Sequence, residues 1–285
     1  MSEIQHGDPA GTYAQVIADT ISEDGHRVTT LEVQCHRFVL AEFNTHRAFS
    51  RNSASSRAIP VAKQLAQVRQ NPAVPISFPA EQRGMQGGAE LSAGDRRYAE
   101  NLWRGAASYA TSVAEELASI GVHKSVANRL LEPFMWHRII VTSTEWENFF
   151  SQRCSPLAQP EIRLVAEHMR DALQASTPGL AAAGAWHLPY VDDDTYDVLA
   201  DRDGVELEDA LRVSAARCAR VSYLTHDGKR DVDADLALYE RLVMAVPPHW
   251  SPLEHVARPL ASGERALGNL AGWQQLRHLD LGEER

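Results

Sequence analysis

The stretch "FNTHRAFSRNSASSRAIP", Phe43 to Pro60, sets His46, three arginines (Arg47, Arg51, Arg57), Asn52 and four serines (Ser50, Ser53, Ser55, Ser56) within eighteen residues. The chain around it is acidic, with a net charge of -10. A guanidinium offers five N–H donors in a planar fork that matches phosphate. Serine hydroxyls and the backbone N–H groups of a turn add neutral donors. An imidazole beside an arginine can stack on or hydrogen-bond a planar heterocycle. Such a block is either a solvated, salt-bridged surface loop or a loop that holds a phosphorylated, aromatic small molecule. Composition alone leaves both open.

Outward from the block, the chain has 285 residues, enough for one large domain or two modest ones with a sizeable core. Hydrophobic content of 44% and charged content of 23% are ordinary for a globular protein. The negative balance argues against a chain that coats nucleic acid or anionic lipid, yet permits a local cationic pocket. An RNA-binding role for the Arg/Ser block also lacks interleaved aromatics. Cys35, Cys154 and Cys218 form no CxxC pair, so neither a disulfide framework nor a zinc ribbon is expected, and a reducing cytoplasm is. The opening "MSEIQHGDPAGTY" has no apolar signal-peptide core, and no apolar run reaches membrane-spanning length.

Periodicity gives the elements. Residues 1–12 read as a mobile lead-in. "HRVTTLEVQ" alternates like a strand, and "RFVLAEFNTHRAF" spaces its apolar residues like a helix. A short helix, "VAKQLAQVRQ", precedes the Pro/Gly-rich loop "NPAVPISFPAEQRGMQGG". The strongest helix is "DRRYAENLWRGAASYATSVAEELASIGV". Asp95 is its expected cap, and Tyr98, Leu102, Ala106, Tyr109, Val113, Leu117 and Ile120 form an apolar stripe. "HKSVANRLLEPF" reads as a helix stopped by Pro133, "RIIVTST" as a buried strand, and "EWENFFSQR" and "QPEIRLVAEHMRDALQAS" as helices. Residues 177–207 read as a long connection between a 13–176 part and a 208–285 part.

Familiar catalytic spacings are missing. No HExxH pair occurs; His249, Glu254 and His255 come nearest to a metal set and read better as a polar turn with structural histidines. No metal site is expected. GxGxxG, GxxxxGK[ST] and GxSxG are all absent. Cys154 follows Arg153, but a buried, inert thiol is the simpler reading.

The block Thr45-His46-Arg47-Ala48-Phe49-Ser50-Arg51-Asn52-Ser53-Ala54-Ser55-Ser56-Arg57 resembles the signature of the flavin-dependent thymidylate synthases: an Arg-His-Arg triplet, two spacers and Ser, then Asn-x-x-Ser-x-Arg. "RCSPLAQPEI" (Arg153 to Ile162) is similar to the family's Arg-x-x-x-x-Ala-Gln-x-Glu-Ile run. The segment from Ser214 to Val256 is similar to its Ala-Arg-Val-Ser and Ser-Pro-x-Glu-His segments. Those last two precede the triplet in the usual family and follow it here, so the chain resembles a circular permutant. Nearby termini make such rewiring compatible with an intact core.

The resemblance implies an α/β (α+β) fold, a twisted, mainly antiparallel sheet flanked by helices, in a homotetramer with active sites at subunit junctions. It implies FAD as cofactor, NADPH and methylenetetrahydrofolate as co-substrates, and a pyrimidine nucleotide, dUMP in the usual case, as acceptor of a methyl group at C5. By matching position, His46, Arg47, Asn52, Asn148, Ser222, His249, Ser251 and Glu254 would contact the flavin. Ser55, Arg57, Arg129 and Arg153 would hold the nucleotide, with Arg153, Arg47 and His46 closest to the chemistry. The pattern breaks at Thr45, where the triplet's first Arg is missing and Arg51 or Arg138 would have to supply the charge. Ser53 and Glu42 depart as well. C5 methylation or hydroxymethylation of UMP or dCMP therefore stays open, as does a flavin- or nucleotide-binding protein without catalysis.

Overall fold

The computed structural model describes residues 6–7, 11–182, 184–202, 206–221, 231–265 and 267–280. In chain order the elements are β1 (His6–Gly7), β2 (Tyr13–Ser22), β3 (Arg27–His36), α1 (Leu40–Phe43), β4 (Ser50–Ser53), α2 (Val61–Gln70), α3 (Ala93–Ser119), α4 (Lys124–Ala127), β5 (Trp136–Ser143), α5 (Glu147–Arg153), α6 (Pro160–Ala175), β6 (Gly179–Ala181), α7 (Asp193–Ala200), α8 (Glu206–Arg220), α9 (Val232–Val243), β7 (Ala257–Pro259), β8 (Trp273–Gln275) and α10 (Arg277–Asp280).

The central sheet runs β1-β2-β3-β5-β4, antiparallel throughout, with β6 joining β2 in parallel. The β2–β3 hairpin closes through "SEDGH", where Gly25 takes φ +83, a conformation that suits glycine. Along β3, Leu31, Val33 and Cys35 point to one face. They pack on Ile162, Val165, Ala166 and Met169 of α6, whose buried positions repeat at helical spacing. Burying side chains of this size contributes about 1.5–3 kcal/mol each, so the sheet–α6 layer is the main core.

The opposite face is polar. Thr30 lies 2.7 Å from His187 Nε2 and 2.6 Å from Thr142 Oγ1, which in turn lies 2.8 Å from His255 Nδ1. Glu32 accepts from the hydroxyls of Tyr13 and Tyr190, each at 2.6 Å. That face is covered by α8 and the C-terminal segments, through the cluster Ile140, Cys218 and Val221. The covering layer is stapled by Asp235 of α9, which accepts from both Arg217 and Arg220 of α8.

Four expectations need correction. The expected helix over residues 37–49 is only a turn (Arg37–Val39) and α1, ending at Phe43, because the chain must rise into β4. The "HKSVANRLLEPF" helix is α4 followed by a tight 3-10 turn, Asn128–Phe134, that takes Pro133 inside it. Residues 177–207 hold β6 and α7 and residues 1–12 hold β1, which leaves the expected division of the chain as it was. In α3 the cap is Ser92, whose hydroxyl accepts from the Asp95 N–H. The α3 stripe faces outward: Tyr98, Leu102, Tyr109 and Ile120 are 66%, 58%, 74% and 73% exposed, while Ala107, Thr111 and Ala114 are buried. Small residues let α3 approach α2 and the 3-10 turn closely, and this decides which face packs inward.

Candidate active site

β4 is the edge strand that carries the Arg/Ser block into the C-terminal layer. Asn52 Nδ2 donates to the Cys218 carbonyl of α8 at 2.8 Å, and Ser251 Oγ lies 3.5 Å from Asn52 Oδ1. Gln275 Nε2 donates to Ser50 Oγ at 2.9 Å and to the Glu254 carbonyl at 2.8 Å. Three segments distant in sequence (the block, the end of α8 and the "HWSPLEH" turn) thus meet at one place.

A cavity of about 370 Å³ opens where they meet. The block supplies Asn52, Ser55 and Arg57; the "HWSP" turn supplies His249 and Ser251. Ala219 and Leu242 form apolar walls, and His123 and Ser125 close the side beside α4. No carboxylate lines it among the described residues, in a chain with 38 Asp and Glu. The guanidinium of Arg57 makes no hydrogen bond or ion pair among those residues. The lining therefore presents a bare cation, two imidazoles and three hydroxyls to whatever enters. The size suits one small ligand, and the donors suit an anionic one.

The other sequence-predicted residues lie elsewhere. His46 is buried, edge-on to Phe149 with ring centroids 4.8 Å apart. Its Nε2 accepts from Arg153 Nε at 2.9 Å. Arg153 also donates to Thr45 Oγ1 at 3.0 Å and to the Glu42 carbonyl at 3.2 Å. Arg153 is thus the arginine that contacts Thr45, where the triplet's first Arg is missing. Arg51 turns to the Phe43 carbonyl, and Arg138 lies 3.6 Å from Glu32. Burial first, then the neighbouring charges of Arg153 and Arg51, push the His46 pKa down, so the ring is held neutral.

Arg129 pairs with Glu132, which also accepts from Ser56, so it stands at the foot of the Ser55–Arg57 loop. Glu254 pairs with Arg277. Arg47 and Asn148 are exposed and do not line the cavity. Ser222 lies outside the described residues. His249 and His255 do not act as a pair: His255 is buried against Thr142, while His249 faces the cavity. The sequence reading missed His123 and Ser125. The signal was the "GVHKS" step, in which a helix stops at Gly121 and a polar residue caps the next turn.

A family model described as "Thymidylate synthase complementing protein" matches residues 21–179. Among curated proteins, no sequence matches the chain. Two solved structures of the UMP/dUMP methylase PolB from Streptomyces cacaoi are similar in part. The one bound with 5-Br dUMP has 20% identity and a TM-score of 0.41, over 52% of this chain and 67% of that one. The one bound with 5-Br UMP has 19% identity and a TM-score of 0.41, over 52% and 69%.

Proposed function

The chain belongs to the thymidylate synthase complementing protein family, and on that premise we propose that it methylates C5 of a pyrimidine nucleotide. The observation that carries the proposal is the carboxylate-free cavity at which three family-like segments converge. Arg57 and Ser55 hold the phosphate, and Arg129 supports their loop through Glu132. Asn52, His249 and Ser251 line the planar part of the ligand stack; the resemblance alone assigns Ser222, Glu254, Asn148 and Arg47 to the flavin, and none of these is part of this cavity's described lining.

FAD fits this donor set: hydroxyls, an amide and imidazoles suit a ring carbonyl or a phosphate, and nothing anionic opposes the latter. Flavin, when bound, supplies the two-electron chemistry that turns a transferred methylene into a methyl group. Methylenetetrahydrofolate is the carbon donor and NADPH the reductant in this reading. Arg153 stabilises the negative charge that develops on a pyrimidine carbonyl as C5 becomes nucleophilic, and His46 fixes the angle of its guanidinium. The His46–Arg153 cluster does not line the cavity of its own chain. The two are therefore read as halves of sites completed between copies in a homotetramer. The outward apolar stripe of α3 supports that assembly.

The test is turnover. Protein given FAD, methylenetetrahydrofolate and NADPH is offered dUMP, UMP and dCMP in turn, and the products are weighed by mass spectrometry. A gain of CH2 on one of them is the expected result, and a gain of CH2O would mark hydroxymethylation instead. A yellow preparation that bleaches with NADPH supports the enzyme. A yellow preparation that never bleaches and changes none of the three nucleotides would leave a binding protein, and would overturn the proposal.

A further inference from the structure

His123 has no counterpart in the motifs that locate the site, yet it lines the same cavity as Arg57. It occupies the cap position before α4, in extended backbone. Its Nδ1 accepts from the Ser125 backbone N–H at 3.2 Å and lies 2.8 Å from Ser125 Oγ. A backbone N–H can only donate, so Nδ1 must carry a lone pair, and the neutral ring keeps its proton on Nε2. Nε2 has no partner among the described residues. The ring is thus locked in one tautomer, with an N–H donor left over, beside a cavity that already holds a guanidinium unpaired among the described residues. Lys124, next in sequence, is turned away and donates to the Ala58 carbonyl at 2.8 Å. Ser125, whose hydroxyl touches His123, also lines the cavity.

We propose that His123, oriented by Ser125, is a further phosphate-binding residue of this cavity, donating from Nε2 to a phosphoryl oxygen that Arg57 also holds. The proposal rests on the nucleotide reading given above. It adds that recognition of the phosphate is shared between the β4 loop and the α3–α4 turn. A phosphate monoester has three terminal oxygens, so a bidentate guanidinium leaves one for a donor from another direction. The ligand class is a phosphorylated heterocycle, either a pyrimidine nucleotide or the phosphate end of a dinucleotide cofactor.

Calorimetric titration of the full chain tests this with dUMP against deoxyuridine, and with FAD against riboflavin. His123→Ala should weaken whichever phosphorylated ligand uses the site by about tenfold or more, and leave its unphosphorylated partner within about twofold. The arm that responds identifies the source of the phosphate. His123→Asp keeps a cap acceptor for the Ser125 N–H but opposes the anion, and should weaken binding further. A folded His123→Asp protein that binds both phosphorylated ligands as the wild type does overturns the inference, as does equal loss with and without phosphate. If the wild type binds neither dUMP nor FAD, the parent reading fails and this inference with it. If it binds and the variants bind equally well, this inference fails alone.

Discussion

Among the described residues Arg57 is a cation without a partner, in a protein that has ten more acidic than basic side chains (38 against 28). Surface arginines in such a chain normally find carboxylates, and sixteen ion pairs among the described residues show that most here do. Arg57→Ala should weaken a nucleotide by about 10- to 100-fold, the range for a lost charge-assisted contact, with Arg57→Lys in between; equilibrium titration measures this. The His46–Arg153 pair gives a second outcome. Burial, Arg153 and Arg51 depress the His46 pKa, so Arg153→Met should raise it while burial still holds it below 6.5. Imidazole titration by NMR reads this directly, and an unchanged or lower value would contradict the assigned contact. At this scale residue type and spacing singled out the Arg/Ser block, with Asn52, Ser55 and Arg57, while leaving a surface loop equally open, and only the resemblance added His249 and Ser251. The sequence could not show Arg153 folding back on Thr45. That contact crosses more than a hundred residues and depends on how α5 packs against the turn before β4.

Among elements, α8 carries the most consequence, since its C-terminal end forms a cavity wall at Ala219. It is held by Asp235, whose carboxylate is buried between Arg217 and Arg220. Removing one member of a buried ion pair leaves uncompensated charge, at a cost of about 3–5 kcal/mol. Asp235→Ala should show that loss in denaturant unfolding and should also weaken nucleotide binding as α8 shifts. A variant with wild-type stability would contradict the staple. α3 teaches a different lesson. Its period was legible, but its inward face was not, because an apolar stripe looks the same whether it meets its own core or another copy. Ala114→Leu should overpack the α2–α3 contact and cost about 1–3 kcal/mol. Tyr109→Ser should leave the folded chain nearly unchanged and should dissociate the proposed tetramer, as read by light scattering.

Across the whole molecule, the polar face of the sheet makes the fold sensitive to acid. His187 and His255 are pushed down to about 3 by burial, with Asp19 opposing the shift for the first and His187 adding to it for the second. His137 is also pushed down to about 3, by burial and then by Arg37. Each folded value lies below the unfolded 6.5, so the unfolded chain takes up protons first. The stability these groups contribute is whole above pH 6.5 and declines as pH falls through the window to about 3. Melting temperature should fall progressively below pH 6.5, and a flat profile down to pH 4.5 would contradict neutral, buried rings. The strands β3 and β5 and the helix α6 were readable from the pattern of apolar residues, while the packing of α6 on β3 was not. The convergence of residues 43–57 with α8 and the "HWSPLEH" turn was not readable from periodicity. It was reached only through the resemblance, since the hydrogen bonds that join the segments lie 166 and 199 residues apart. That convergence is the central claim, and a crystal structure of the protein with dUMP tests it most directly. The account predicts the phosphate against Arg57 and Ser55, with the ring between Asn52 and His249. A nucleotide seated at another site, with Arg57 still unpaired, would contradict it.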